Sequence, residues 1–369
     1  MTWDHPRGYD PVIAVSEVWR AQRGVEIVWD KRSLQDFESF PIRELAKTYD
    51  LLIIDHPHIG QAIAEQSLAP LDGAQFMAAS AALERASVGP SWRSYAWQGR
   101  QWALPIDAAA QVLAWRPDFI EAPPRTWSEV LSLARLRIVN CPMRAPHSLM
   151  TLFTLTANLG RPCTVDGPLL IDREVGGMAV EMMRELVALI DGDCFSMDPI
   201  DVLDAMAQPQ TSIACAPYVY GYVNYAQRGF RARRIRFSDI PTAGSNGPAG
   251  SALGGTGIAI SAFSTHPEAA ADFAFWVASA PVQSGLYAEA GGQPGNGEAW
   301  RDVAINRASA NFYADTRATL DHSWLRPRHN GYMQFQHASA LRLNEGLQRK
   351  EDAADTIDAL NTMFAASFQ

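Results

Sequence analysis

A run of residue types that bind metals, Asp55-His56-Pro57-His58, directly follows an apolar stretch in this 369-residue chain. Alternate residues of a strand share a face, so an H-x-H pair at a strand end is one way in which amidohydrolase-like barrels hold a metal ion. Neither the eight strand–helix repeats of such a barrel nor a complete ligand set can be counted here. We therefore predict no metal site and keep a metal-dependent hydrolase as an alternative. Its further ligands would come from His147, His266, His322, His329 and His337.

A second polar run, Trp3-Asp4-His5-Pro6-Arg7, precedes the first predicted helix. Free N–H groups at helix N-termini favour hydroxyl or anionic ligands. Asp55 and Asp107 each follow an apolar, strand-like run, where a carboxylate can accept hydrogen bonds from two adjacent hydroxyls. N-capping of the next helix is the alternative for Asp55. These patterns indicate a binding site for a small polar molecule.

The motifs of several common enzyme classes are missing from the sequence. There is no G-x-S-x-G elbow, no G-x-x-x-x-G-K-[ST] loop and no G-x-G-x-x-G fingerprint. The run Gly254-Gly255-Thr256-Gly257 precedes a predicted strand, which is the wrong order for a cofactor loop. We therefore predict a protein that is not an enzyme, with no catalytic residues and no cofactor.

Length and composition favour two globular domains of about 150–200 residues each. Hydrophobic residues make up 47% of the chain and charged residues 19%, which excludes disorder of the whole chain. The net charge of −9 argues against a nucleic-acid partner. One basic cluster is interpreted as solvated surface, with an anion site as the alternative; it comprises Arg228, Arg231, Arg233, Arg234 and Arg236.

The cysteines and the N-terminus leave the cellular compartment open. The four cysteines contain no C-x-x-C pair, so one or two disulfides and free buried thiols are both compatible with the sequence. No apolar run reaches the roughly 18 residues that span a membrane. Residues 1–6 show neither the basic nor the apolar region of a signal peptide. The cysteines are Cys141, Cys163, Cys194 and Cys215.

Helical and strand patterns alternate through the first third of the chain, which favours an α/β lobe with sites at the carboxyl ends of its strands. The continuous apolar run at 51–54 predicts a strand buried on both faces of a parallel sheet. The other predicted elements are helices over 11–22 and 59–66, strands over 25–29 and 111–115, a hairpin around Gln98-Gly99, and a helix capped by Thr126 with Glu129 in a capping box.

Five segments resemble the extracellular solute-binding proteins of ABC importers, in the group that includes maltose-binding and other sugar receptors. The first is Y-x-W-x-G-R-x-W-A-L-P-x-D followed by Q-V-L-A-W (95–115), and the second is P-P-R-T-W-S-E-V (123–130). The later segments are G-G-T-G-I-A-I-S (254–261), H-P-E-A-A (266–270) and G-G-Q-P (291–294). No segment is specific alone, but together they cover most of the chain in the family's order.

The resemblance implies a two-lobed periplasmic-binding-protein-like fold, α/β in class, in which each lobe is a mixed sheet flanked by helices. Residues 1–110 and 254–308 are expected to form the first lobe, and 111–253 and 309–369 the second, with a ligand cleft between them. It further implies a monomer that closes on its ligand by hinge motion. Such a protein is located in the periplasm, and its partners are the permease subunits of an ABC transporter. Since the sequence shows no signal peptide, a cytoplasmic sensor or carrier with the same fold is the alternative.

The expected ligand is a sugar, a sugar derivative or a polyol, which needs flat apolar faces against its C–H groups and fixed polar groups for its hydroxyls. The histidines and arginines among the candidates keep an anionic ligand open. The predicted ligand-binding residues are Trp3, Asp4, His5, Arg7, Asp55, His56, His58, Asp107, Gln111, Tyr218, Tyr220, Gly255, Thr256, Trp324 and Arg326.

Overall fold

A computed structural model describes residues 1–39 and 41–369 of the chain. The strands are β1 (Thr2–Trp3), β2 (Lys31–Arg32), β3 (Leu51–Asp55), β4 (Leu68–Ala69), β5 (Ala96–Trp97), β6 (Arg100–Gln101), β7 (Ala103–Pro105), β8 (Ala109–Trp115), β9 (Cys215–Tyr220), β10 (Arg236–Ser238), β11 (Leu253–Gly254) and β12 (Thr256–Ser261).

Helices flank these strands along the whole chain. They are α1 (Pro6–Arg23), α2 (Leu34–Ser39), α3 (Ile42–Ala46), α4 (Ile59–Ala64), α5 (Met77–Ala86), α6 (Ser91–Ser94), α7 (Trp127–Arg135), α8 (His147–Asn158), α9 (Arg173–Leu189), α10 (Pro199–Met206), α11 (Pro267–Ala278), α12 (Ala280–Val282), α13 (Gly297–Arg301), α14 (Val303–Ala308), α15 (Phe312–Asp315), α16 (Arg317–Asp321), α17 (Tyr332–Arg349) and α18 (Ala353–Ala366). Within the described residues, none of these helices is both long and apolar enough to cross a membrane.

The sheet of the first lobe is centred on β12, a strand contributed by the return of the chain. β3 pairs with one side of β12, and β7 and β4 pair with the other side, all antiparallel to it. The prediction of a strand over 51–54 is confirmed, but its parallel pairing is wrong. The continuous apolar run reflects burial, since residues 51–54 are at most 7% exposed, and burial does not specify the direction of the partner strand.

The sheet of the second lobe is centred on β8, which carries β9 on one side and β10 and β11 on the other, again antiparallel. One apolar core packs between this sheet and α7, α8, α9, α17 and α18. A second core forms around β9, β10, α10 and α15. A third cluster, built on α1, β3, β7, β12 and α11, is the core of the first lobe. The fold is therefore two-lobed α/β, and the boundaries at 110/111, 253/254 and 308/309 stay a prediction.

Two local predictions are wrong in instructive ways. Residues 25–29 belong to no strand; Val28 is 79% exposed, whereas Trp29 is buried and donates to Ser16 Oγ (2.8 Å). A run of apolar residues forms a strand only where the backbone of a neighbouring strand can pair with it. The first helix begins at Pro6 instead of residue 11, because His5 caps it by accepting from the backbone N–H of Arg7 (3.0 Å) and Pro6 suits the first helical turn.

Other local predictions are confirmed. The hairpin around Gln98-Gly99 is formed by β5 and β6, and β8 contains the strand predicted over 111–115. Thr126 caps α7 and Glu129 completes the capping box. The helix predicted over 59–66 is observed as α4, preceded by one 3₁₀ turn (His56–His58).

The two segments predicted to cross between the lobes, near residues 107 and 256, bond to each other. Ile106 and Asp107 donate their backbone N–H groups to Thr256 O (3.1 and 3.0 Å), and the Thr256 N–H donates back to Asp107 O (3.0 Å). Near the second of these segments, the Trp324 N–H donates to Ser251 O (2.7 Å). Gly255 lies in the left-handed region (φ 95°) between β11 and β12, and a Cβ there would lie 2.4 Å from Asp107 O.

Replacing Gly255 with alanine is expected to destabilise the protein more than the same change at a glycine that has a similar φ but open space around it. Gly99→Ala is the matched control, because Gly99 also has a left-handed φ (75°) but its Cβ would meet nothing within 4 Å. The control is expected to cost about 1–2 kcal/mol from the backbone alone. Gly255→Ala adds the clash with fixed backbone and should cost at least twice as much in urea denaturation; equal costs would contradict the crossing geometry.

Candidate ligand cleft

The register of β12 brings two carboxylates to one edge of the first-lobe sheet. Thr256, the first residue of β12, lies opposite Asp55, and Gly257 lies opposite Pro105. The carboxyl ends of β3 and β7 therefore meet where β12 begins, and Asp107 follows two residues after β7 ends. Asp107 is 1% exposed and the Asp55 side chain 18% exposed, so both carboxylates need partners inside the protein.

Arg326 supplies the partner of Asp55. Its Nη2 donates to both carboxylate oxygens (2.9 and 2.8 Å), Nε donates to Leu253 O (3.2 Å) and Nη1 donates to Gln336 Oε1 (3.0 Å). Burial disfavours the charged form of Asp55, but the Arg326 charge and the hydrogen bond from His56 outweigh it and hold the pKa of Asp55 below its ordinary value. The pair is ionised, and every guanidinium nitrogen of Arg326 has a partner.

Arg7 supplies the partner of Asp107. Its Nε donates to Asp107 Oδ2 (2.8 Å), its Nη2 donates to Oδ1, and its Nη1 donates to Gly221 O (3.0 Å) across the cleft. Burial lowers the pKa of Arg7, but the Asp107 carboxylate more than compensates, so the pKa of Arg7 lies above its ordinary value. The guanidinium also lies over the ring of Tyr222, 4.5 Å from its centroid.

A cavity of about 70 Å³ lies beside these two ion pairs, at the junction of the lobes. Aromatic rings from both lobes form much of its wall: Trp3 and Phe37 from the first, Tyr220 and Tyr222 from the second. The other lining residues are Arg7, Leu34, Asp55, Ala109, Pro146, His147, Met150, Pro199, Gly254, Gly255, Thr256, Arg326, Met333 and Gln336.

Three polar atoms of cavity-lining side chains have no hydrogen-bond partner within the described part of the chain: Trp3 Nε1, His147 Nδ1 and Thr256 Oγ1. The residues are 3%, 4% and 6% exposed. Burial, reinforced by the charges of Arg326 and Arg144, lowers the pKa of His147 to about 3, so its ring is neutral at pH 7. The side chains of the cavity wall therefore include an indole donor, a neutral imidazole and a hydroxyl whose polar atoms are not paired within the described protein.

Of the predicted site residues, the structure brings seven to the cavity wall and places Asp107 directly behind Arg7. Asp4 lies outside: it is exposed and pairs with Lys31 (2.7 Å) on the surface. His5 also lies outside, because its ring caps α1 and packs edge-on against Tyr222 (4.7 Å). The seven are Trp3, Arg7, Asp55, Tyr220, Gly255, Thr256 and Arg326.

Three predicted residues from the second-lobe side are held away from the cavity by their own contacts. Gln111 donates to Tyr218 O (2.8 Å) and accepts from Thr154, deep in the core. Tyr218 donates to Pro241 O (2.8 Å) and stacks on Trp127. Trp324 packs on Phe153 (5.1 Å between ring centroids). These residues fix the second lobe, and we no longer place them in the ligand site.

The H-x-H pair does not have the geometry of a metal site. His56 and His58 lie on a 3₁₀ turn instead of a strand, so they do not share a face. His56 is buried against Tyr95, whereas His58 lines a neighbouring cavity. In residues 1–39 and 41–369, no three His, Cys, Asp or Glu residues are grouped so as to hold a metal ion. The four cysteines are buried free thiols.

Sequence reasoning missed part of the cleft wall. Tyr222 was detectable, since it continues the alternation of Tyr218 and Tyr220 beyond β9. His147, Met333 and Gln336 gave no signal, because they sit on α8 and α17 among residues with ordinary helical patterns. Only the packing of these helices against the crossing segments brings them to the cavity.

The buried ion pair of Arg7 with Asp107 is expected to contribute far more to stability than an exposed pair of the same kind. Asp107→Ala leaves a buried guanidinium without its carboxylate, which typically costs about 3–5 kcal/mol. Asp72→Ala is the control, because Arg100 contacts Asp72 through the same two nitrogens (2.6 and 2.8 Å) at an exposed site. Equal losses in urea denaturation would contradict the assigned role of Asp107.

Stability is expected to fall as pH decreases below about 6.5. Burial is the main cause of the low pKa values of His5 and His147, both about 3, and of His56, about 4. Because the unfolded chain titrates near 6.5, it binds more protons than the folded protein below that pH, which favours unfolding. Each such histidine contributes about 1.4 kcal/mol per pH unit between pH 6 and 5. His147→Gln should reduce the slope by that amount in urea denaturation; an unchanged slope would refute the assignment.

Comparisons with known proteins agree with this geometry. The family model for bacterial extracellular solute-binding proteins matches residues 42–312. No curated protein sequence matches the chain closely enough to count as a relative. The maltose-bound MalE3 structure of T. maritima superposes with a TM-score of 0.80 at 17% identity, covering 95% of this chain and 94% of that one.

Two further structures have the same fold. An ABC transporter solute-binding protein from Thermotoga lettingae TMO, bound with alpha-D-tagatose, has a TM-score of 0.80 at 17% identity and covers 98% of this chain and 96% of its own. One from Agrobacterium radiobacter K84, in complex with ribitol, has a TM-score of 0.75 at 17% identity and covers 96% and 95%. With the family model spanning well over half of the sequence, the chain belongs to the bacterial extracellular solute-binding protein family.

Proposed function

We propose that this protein captures a small, uncharged polyhydroxyl solute, a sugar, sugar derivative or polyol, between its two lobes and delivers it to an ABC importer. The observation that carries the proposal is the cavity at the lobe junction, whose charges are all paired within the protein. Its unpartnered polar atoms, on Trp3, His147 and Thr256, are of the kind that bind hydroxyl groups.

The charge balance favours a neutral ligand over a sugar acid. Arg7 and Arg326 are matched by Asp107 and Asp55, and the guanidinium nitrogens of both arginines already donate to protein acceptors. A carboxylate in the cavity would have to displace an aspartate or remain without a partner cation, and His147 is neutral. Burying an unpaired charge costs much more than burying a hydroxyl that is hydrogen-bonded.

The aromatic walls suit the C–H faces of a sugar or polyol. Trp3 and Phe37 pack against each other (5.3 Å between ring centroids) on one side, and Tyr220 and Tyr222 line the other. Aromatic rings bury large apolar areas with little loss of side-chain freedom, so they cover such faces at low entropic cost.

Contacts across the cleft support capture by closure. Gln35 on α2 donates to Asp198 (2.8 Å), the N-cap of α10, and Arg7 on α1 donates to Gly221 O (3.0 Å). Both bonds join the two predicted lobes, so opening the cleft breaks them. Ligand held between the lobes stabilises the closed arrangement.

The comparisons support the ligand class. Three of the similar structures hold maltose, alpha-D-tagatose and ribitol, all of them uncharged polyhydroxyl compounds. The family and fold are those of solute-binding proteins that carry out no reaction, and the family description places its members outside the cell. We therefore propose a periplasmic or extracellular receptor with an ABC permease as its partner, to be tested by cell fractionation and by co-purification with the permease.

Thermal-shift measurements with purified protein test the ligand class. A ligand at about 100 times its dissociation constant adds roughly 2.7 kcal/mol of stability. We expect a shift with neutral sugars or polyols such as glucose and ribitol, and none with glucuronate, phosphate or divalent metals. A shift with glucuronate alone would refute the neutral ligand, and a shift with zinc alone would restore the hydrolase alternative.

Thr256→Val tests the cavity itself. The substitution keeps the shape but removes a hydroxyl that has no partner in the described protein, so the ligand-free protein should be as stable as wild type or more stable. Affinity for the neutral ligand should fall by roughly fivefold, the equivalent of about 1 kcal/mol for one hydrogen bond. The exposed Thr48→Val should leave affinity unchanged. Unchanged affinity in Thr256→Val would exclude Thr256 from the site.

A further inference from the structure

The two arginines of the cleft bond between the predicted lobes directly beside the crossing segments. Gly221, which accepts from Arg7, also donates its backbone N–H to Ala110 O (3.3 Å). Arg326 likewise donates to Leu253 O (3.2 Å), next to the start of β12. Lobes that turn about their crossing segments move least beside them, so a small opening of the cleft changes these bonds little.

The hydrogen bond from Gln35 Nε2 to Asp198 Oδ2 (2.8 Å) joins the lobes in a different place. Gln35 belongs to α2 of the first lobe, and Asp198 is the N-cap of α10 in the second. Within the described residues, Asp198 has no hydrogen bond to either crossing segment. Opening the cleft therefore separates this pair early, before the bonds at the crossing segments must break.

The acceptor of this bond is held in position by its own lobe. Asp198 Oδ1 accepts from the backbone N–H groups of Ile200 (2.8 Å) and Asp201 (3.0 Å), and Asp201 closes the capping box by accepting from the Asp198 N–H (2.9 Å). Arg144 Nη1 lies 3.9 Å from Oδ2 on the same side of the cleft. Since the cap uses Oδ1, the carboxylate is preorganised to offer Oδ2 to Gln35.

The pair also lies beside the ligand cavity. Leu34 and Pro199, the chain neighbours of Gln35 and Asp198, both line the cavity, together with Gly255 at the crossing segments. The bond thus joins α2 to the start of α10 where each helix contributes to the cavity wall. Moving these two helices apart removes Leu34 from Pro199 and opens the wall between the lobes.

We propose that Gln35 and Asp198 form a latch that retains the bound solute and sets its rate of release. This inference rests on the proposed function, because it assigns the step that limits dissociation from the same cleft. The latch forms after the lobes have closed, and the solute leaves only after the latch has broken. It therefore lowers the dissociation rate and leaves the association rate nearly unchanged.

Stopped-flow fluorescence tests the latch, with tryptophan emission as the signal because Trp3 lines the cavity. The probe is whichever of D-glucose, D-tagatose, ribitol and maltose the wild-type protein binds most tightly. Gln35→Ala removes the donor. Dissociation should become about tenfold faster, the effect of losing one hydrogen bond to a carboxylate. Association should change by less than about twofold, because the latch is not yet formed at that stage.

Asp198→Ser removes the acceptor and keeps the helix cap. A serine hydroxyl caps a helix as well as a carboxylate does, but it is too short to reach Gln35. Dissociation should again become about tenfold faster. Asp352→Ser is the matched control, since Asp352 caps α18 through two backbone N–H groups and does not line either cavity at the lobe junction. The control should leave both rates unchanged.

The double variant Gln35→Ala/Asp198→Ser distinguishes a direct contact from two separate effects. If the two side chains act only through each other, the double variant should dissociate within about twofold of either single variant. Effects that multiply to about a hundredfold would overturn the latch, as would a wild-type dissociation rate in either single variant. Urea denaturation without ligand verifies that each variant is folded.

These outcomes separate the latch from the proposed function. Wild-type protein that binds a probe but releases it no more slowly than the variants overturns the latch alone and leaves the proposed function intact. Wild-type protein that binds none of the four probes and no other neutral sugar or polyol overturns both.

Discussion

Two buried carboxylates impose the constraint on which the cleft depends. The antiparallel register of β12 places Asp55 and the end of β7 at the same edge of the sheet, with Asp107 close behind. Neither carboxylate can stay ionised there alone, because burial without a partner costs several kcal/mol. Arg326 and Arg7 meet this need, and each reaches its aspartate from a different part of the chain. The same two ion pairs thus hold the segments at the lobe junction in place and leave the cavity without an unpaired charge.

The same ion pairs organise the rest of the site. Arg326 holds Gln336 at the edge of the cavity, and Arg7 donates to the Gly221 carbonyl of the opposite lobe and lies over Tyr222. Because the guanidinium nitrogens of both arginines donate to protein acceptors, the proposed site uses them as scaffold and leaves recognition to uncharged groups. The two ion pairs fix the positions of the aromatic rings and hydrogen-bonding side chains around the cavity, and such a fixed arrangement is well suited to discriminate among neutral ligands by shape.

How much of this the sequence could predict depends on whether the signal was local. Asp55 and Asp107 were predicted because strand ends are visible as apolar runs, and ordered motifs indicated the family and the two-lobed fold. No strand forms over 25–29, and Gln111 lies in the second-lobe core outside the cavity wall, since a sheet partner and the direction of a side chain in a core are decided by distant residues. His147 was missed for the same reason: a polar residue at a helix start gives no sign of the cavity that it faces.

The unpartnered atoms of the cavity couple ligand capture to closure. Trp3 Nε1, His147 Nδ1 and Thr256 Oγ1 have no partner within the described residues, so under the proposed closure the molecule between the lobes would have to pair them. A buried polar group without a partner costs about 1–3 kcal/mol, so closing on a molecule that offers no hydroxyls carries this cost once for each of the three groups. A ligand that pairs all three removes the penalty and shifts the population toward the closed form. On the proposed function, the atoms that recognise the ligand are therefore also the ones that disfavour closure on anything else.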